Sequence, residues 1–129
     1  MTPADDRRYP KRPLIGVGAL IFDRGRILMA QRGKEPLKGW WSLPGGALEI
    51  EPLGVFEIFE RIMRDAEGTT EYHYVLIDYV CRITGGTLCA GDDVCRVEWV
   101  KPAGLKDLQI TEGTLGVIEK AFRKRRRYK

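Results

Sequence analysis

The sequence predicts an α+β domain, a mixed sheet with few helices. Three observations carry that prediction. Residues 14–30 read as a hairpin of apolar strands, residues 72–83 and 94–100 read as further strands, and residues 111–122 carry the spacing of one closing amphipathic helix. At 129 residues the chain is long enough for one domain with a core and too short for two.

The elements follow in order. Residues 14–22, LIGVGALIF, form an apolar run with β-branched residues and small glycines, the pattern of a buried strand. Asp23-Arg24-Gly25-Arg26 supplies turn chemistry and Ile27-Leu28-Met29-Ala30 resumes the apolar run, completing the hairpin. Residues 33–39 are a loop, and Trp40 to Leu43 make a short extended piece stopped by Pro44-Gly45-Gly46. Residues 53–66 fit two patterns. Val55, Phe56, Phe59, Ile62, Met63 and Ala66 follow helical spacing, yet VFEIF is also a good strand sequence, and periodicity does not decide between them. YHYVLIDYVCRI, residues 72–83, is rich in aromatic and β-branched residues and should be a strand buried on at least one face. Gly85-Gly86 and Asp92-Asp93 read as turns, and VCRVEWV at 94–100 as a strand. Thr111 is the expected N-cap of the last helix, whose inward face is Leu115, Ile118, Ala121 and Phe122.

Composition narrows the function classes. Hydrophobic residues make up 43% and charged residues 31%, values typical of a soluble globular domain. No apolar run approaches the roughly 20 residues that span a bilayer, and no apolar signal segment follows the polar N-terminus, so the expectation is cytoplasmic and away from membranes. Cys81, Cys89 and Cys95 are odd in number and form no CxxC pair, which disfavours a disulfide framework. With a single histidine in the chain they also make a poor zinc set. The net charge of +4 is concentrated at the end. RKRRRYK, residues 123–129, carries six positive charges, without which the remainder is slightly acidic. Such a tail can bind nucleic acid, but no interleaved aromatics or nucleic-acid motif accompany it, and a solvated helix end is the simpler reading. The expected organisation is a polar tail at 1–12, one domain at 13–123 and a basic tail at 124–129.

Gly39-Trp40-Trp41-Ser42-Leu43-Pro44-Gly45-Gly46-Ala47-Leu48-Glu49 resembles the G-x-W-x-x-P-G-G-x-x-E opening of the Nudix box. Around it, the 14–30 hairpin with Ala30-Gln31-Arg32, the strands at 72–79 and 98–100 and the helix at 111–122 resemble that family's other elements in the usual order. The resemblance, to the Nudix hydrolases, implies a Nudix-like mixed sheet with a C-terminal helix. It also implies an ancestral Mg²⁺- or Mn²⁺-dependent hydrolysis of nucleoside-diphosphate-linked substrates. Tyr72-His73-Tyr74 looks most like members that act on ADP-ribose or similar diphosphates. Implied site residues are Arg32, Trp40 and His73 for substrate and a remnant metal set of Gly46, Glu49 and Glu51.

The resemblance also implies a box of the form G-x5-E-x7-R-E-U-x-E-E-x-G-U, whose helix clusters glutamates around the ion. No register of this chain supplies it. From Gly46 the E-E pair falls on Arg64-Asp65, from Gly45 on Met63-Arg64, and from Ala47 on Asp65-Ala66. Glu49-Ile50 reads as the start of the box and Glu51 to Phe56 as the strand that usually follows it, so the pattern is that of an excised box helix, about 20 residues or 30 Å. The expected result is a protein that has lost all or most of its hydrolytic activity. A rebuilt metal site from Glu49, Glu51, Glu57 and Glu60 would restore it, and a nucleic-acid-binding module on the basic tail is the third reading. Loss of a helix that covers a sheet should expose apolar surface. Two devices would cover it: residues 53–66 remodelled as a helix, or a homodimer, with or without a swapped element.

Overall fold

The computed structural model describes residues 7–44, 49–86 and 94–124. Its strands are β1 (Leu14–Asp23), β2 (Arg26–Arg32), β3 (Trp41–Ser42), β4 (Glu49–Arg64), β5 (Thr70–Gly85) and β6 (Val94–Val100), followed by a 3₁₀ segment, Pro102–Asp107, and helix α1 (Thr114–Lys124). The α+β architecture, the mixed sheet and the single C-terminal helix among the described residues agree with the sequence expectation.

The opening hairpin turns on Arg24 and Gly25, both at positive φ (51° and 77°), the geometry of a two-residue type I′ turn that matches strand twist. Beyond Phe22↔Ile27 and Asp23↔Arg26 the two strands part. β1 runs parallel to β5 from Leu14↔Tyr74 to Ile21↔Cys81, while β2 pairs antiparallel with β6 and with β3. The sheet order is therefore β3-β2-β1-β5-β4, with β6 also on β2.

Residues 53–64 are strand, not helix. They belong to the 16-residue β4, which pairs with the equally long β5 from Glu49↔Gly85 to Arg64↔Thr70. The helical spacing at 55–66 has another origin. Bulges in the β4–β5 ladder, one of them between Val55 and Glu57, shift the strict alternation of a strand. Phe56, Phe59 and Val80 pack inward on the core, whereas Val55, Ile58 and Ile62 point out and are exposed. The remodelled helix is thus overturned. Helix α1 starts at Thr114, three residues after the expected cap. Thr111 closes a preceding turn, accepting from the Thr114 N–H through its carbonyl and bonding Thr114 Oγ1 at 2.8 Å.

One face of the sheet carries the main core. Leu20, Ile27, Met29 and Trp41 meet Val117, Ile118 and Ala121 of α1, with Val100 and Leu105 closing one side. Among the described residues the other face is covered only at one end, where Ala19, Ile21, Leu28 and Cys81 pack with Tyr79, Val97 and Trp99. Along the rest of it Ile15, Val17, Val55, Ile58 and Ile62 stand exposed, Ile15 at 73% and Val17 at 64%. The parallel register places Val75 beside Ile15 and Ile77 beside Val17, and the antiparallel one places Ile58 beside Ile77, so these side chains share one surface.

Candidate functional site

The site grows from the inner face of β1, β5 and β4, opposite the open apolar surface. β1 alternates Gly16 and Gly18 on that inner face, in register with Leu76 and Asp78 of β5. A Cβ on Gly18 would lie 2.5 Å from Asp78 Oδ1 and one on Gly16 2.7 Å from Leu76 Cδ2, so the two glycines let the neighbouring side chains lean across β1. Above them opens a cavity of about 200 Å³. Phe59, Met63, Tyr74 and Leu76 give it apolar and aromatic walls, Arg7 and Arg32 line it, and Arg61 and Thr114 border it on the α1 side.

Asp78 is 4% exposed, and its Oδ2 has no hydrogen-bond partner among the described residues. Burial raises its carboxyl to about 6, a shift opposed by Arg61 and reinforced by Glu57. Arg61 is fixed by a fan of bonds to the start of α1. Its Nε donates to the Glu112 carbonyl at 3.0 Å and one terminal nitrogen to Glu112 O, Thr111 Oγ1 and Thr114 Oγ1 at 2.8, 3.0 and 2.8 Å. Burial, then the nearby Arg32, lowers its pKa. Arg32 leaves β2 and donates from Nε to the Pro36 carbonyl at 2.7 Å, which holds it at the edge of the 33–39 loop. The result is a desolvated carboxylate with one bare oxygen, apolar walls and guanidinium groups at the lining. That chemistry suits a flat ligand bearing an N–H or O–H donor at one end and an anionic group at the other.

Of the residues expected to bind substrate, Arg32 lines this cavity. His73 does not; it lies on the opposite face of β5, where Nε2 meets Glu60 Oε2 at 3.0 Å, while its neighbour Tyr74 faces the cavity. Trp40 is half-buried in the approach to β3 outside the lining, and Trp41 is a core residue. Asp78, Arg61, Gly16 and Gly18 escaped the sequence reading. The signal was present as a lone acid inside the apolar run YHYVLIDYVCRI, facing a G-x-G alternation in β1.

The metal expectation is tested by where the carboxylates go. Glu51 pairs with Arg82, accepting from its Nε at 2.8 Å, and Glu49 lies over Gly85. Glu57 is paired inward with Lys120 of α1, and Glu60 outward with His73. Three of the four thus have basic partners, and they divide between two faces of β4. Among the described residues no cluster of three or more His, Cys, Asp or Glu could hold a metal ion, so these carboxylates do not fit a divalent-ion site. Gly46 lies outside the described residues, as do Cys89, Asp92-Asp93 and residues 125–129 of the basic tail.

The fold and cavity define a class, an α+β domain with an arginine-lined pocket on the helix-bearing side of a mixed sheet. Comparison with known proteins identifies the fold. The chain superposes on a Nudix hydrolase from Nitrosomonas europaea with a TM-score of 0.70 at 11% identity, covering 87% of this chain and 90% of that one. It superposes on the Nudix domain of Shewanella oneidensis NrtR, a structure complexed with ADP ribose, at 0.62 and 22% identity, covering 92% and 90%. An ADP-ribose pyrophosphatase of Methanocaldococcus jannaschii is 28% identical over 103 residues, 67% of this chain. The chain spans 61% of that relative's length. No protein-family model matches the chain. The chain is a Nudix-fold protein, as residues 39–49 suggested. Among the described residues no helix is long and apolar enough to cross a membrane.

Proposed function

We propose that this chain binds a nucleoside diphosphate derivative of the ADP-ribose type in the cavity over Gly16 and Gly18, and that it has lost the hydrolysis its lineage performs. The carrying observation is the link between β3 and β4. Only six residues separate Ser42 from Glu49, where β4 already begins. Six residues span about 9 Å as helix, less than two turns, so the connection has no room for a box helix of about 30 Å. Of the carboxylates that remain, Glu51, Glu57 and Glu60 are engaged by Arg82, Lys120 and His73. The relatives' ADP-ribose chemistry and the arginine-lined cavity support the ligand class.

The same excision accounts for the bare sheet face. From Val55 to Ile62, across β4, β5 and β1, it measures about 24 by 14 Å, or about 350 Å², at the usual strand rise and spacing, with the Glu60–His73 pair set among its apolar side chains. Apolar patches of that size are commonly interaction sites, and a second copy of the chain is the proposed cover. β4 is also an edge strand, which lets a dimer extend from the face towards the roughly 800 Å² per partner of a stable interface. In this reading the protein is cytoplasmic, as its cysteine usage suggests.

Titration calorimetry with ADP-ribose tests the binding half. Saturable binding that is lost with Arg32→Ala supports it, and no heat at millimolar ligand overturns it. Light scattering tests the dimer, and a monomer at tens of micromolar overturns that part.

A further inference from the structure

Resting on the nucleotide-binding reading above, we propose that Asp78 sets the base preference of the pocket by accepting a hydrogen bond from the exocyclic amino group of a purine. Three independent features converge on this residue. It is buried to 4% exposure and its Oδ2 lacks a partner among the described residues, although buried polar atoms are satisfied in the great majority of cases. Gly18 is matched to it, since any side chain there would collide with Oδ1. The walls beside it, Phe59, Tyr74 and Leu76, are aromatic or apolar, the surface that receives the flat face of a base.

Charge placement orients the ligand. The cavity is lined by Arg7, Arg32 and Arg61, and Asp78 is the carboxylate among its lining residues. Diphosphate oxygens therefore belong with the guanidinium groups, and the uncharged donor end with Asp78. Asp78 cannot be the phosphate contact, because two anions in a desolvated pocket repel. An N–H donor is the complement, and a site built to bond such a group rejects the analogue that lacks it, since the buried acceptor is then left unpaired.

The test compares ADP, 2′-deoxy-ADP and the 5′-diphosphate of unsubstituted purine riboside, which lacks the 6-amino group, on the full chain at pH 8. The unmodified protein should bind ADP about tenfold or more tightly than the purine analogue, the span expected for one charge-assisted bond. Asp78→Leu should bring that ratio close to one, and Asp78→Asn, which keeps a carbonyl acceptor without the charge, should leave it in between. Thermal melting of both variants establishes that they are folded. Equal affinity of the unmodified protein for ADP and the analogue overturns the base assignment while leaving nucleotide binding intact. A preference that persists in Asp78→Leu overturns it as well. An Asp78-dependent loss seen only with 2′-deoxy-ADP transfers the contact to the sugar and also overturns it. Absence of binding by all three nucleotides overturns the pocket reading itself, and this inference with it.

Discussion

Replacing Asp78 by Asn should make the protein more stable, and only where the carboxyl would be ionised. Burial raises the Asp78 carboxyl from the usual 3.8 to about 6, so the folded state holds the proton more tightly than the unfolded chain does. Below pH 3.8 the group is protonated in both states and its titration contributes nothing. Between pH 3.8 and 6 the unfolded chain ionises while the folded one does not, and stability falls with rising pH. Above pH 6 the loss is complete. A shift of about 2 units corresponds to about 3 kcal/mol at 1.36 kcal/mol per unit. That is a large share of a domain stability of about 5–15 kcal/mol. Urea denaturation of both proteins at pH 8 and at the lowest pH where each folds reversibly measures it. The gain from Asp78→Asn should be about 3 kcal/mol larger at pH 8 than near pH 3.5. The pH dependence is the readout, because the buried amide has hydrogen-bond needs of its own that do not titrate. A gain that is the same at both pH values, or a variant less stable only at pH 8, would refute the claim that Asp78 is a desolvated and unsatisfied acid.

Further substitutions probe the remaining parts. Gly18→Ala places a Cβ 2.5 Å from Asp78 Oδ1 and should cost about 1–3 kcal/mol as overpacking while weakening nucleotide binding, both measurable on one preparation. Arg61→Lys cannot reproduce the fan to Glu112 O, Thr111 and Thr114, and denaturation should show a loss of about 1–3 kcal/mol. On the open face, Ile15→Lys with Ile58→Lys should shift sedimentation from dimer to monomer and leave ADP-ribose affinity unchanged; an unchanged dimer would place the interface elsewhere.

Most of the strands along the chain were readable because each has local chemistry. Arg24-Gly25 supplies the positive φ of a type I′ turn, and VCRVEWV at 94–100 matches β6 residue for residue. Residues 53–66 were not readable for a physical reason. A bulge puts Phe56 and Glu57 on the same side of β4 and leaves a three-residue step between the outward Val55 and Ile58, and a strand with such steps imitates a helix. At the site, Arg32 was named from the resemblance of the hairpin ending in Ala30-Gln31-Arg32, and it lines the cavity. Asp78 was not, because a single acid in an apolar strand acquires meaning only when Gly16 and Gly18 are brought beside it by the parallel β1–β5 pairing. His73 illustrates the converse. One residue along a strand changes the face, and Tyr74, not His73, reaches the cavity.

The most direct test of the central claim measures binding and turnover together, following ADP-ribose by calorimetry and AMP release by chromatography in the same buffer, with Mg²⁺ or Mn²⁺ and with EDTA. Saturable binding without EDTA-sensitive AMP release is the predicted result, a nucleotide pocket that has outlived its metal site. Sustained EDTA-sensitive release of AMP would contradict it, and Glu49, Glu51, Glu57 and Glu60 would then be the first residues to replace.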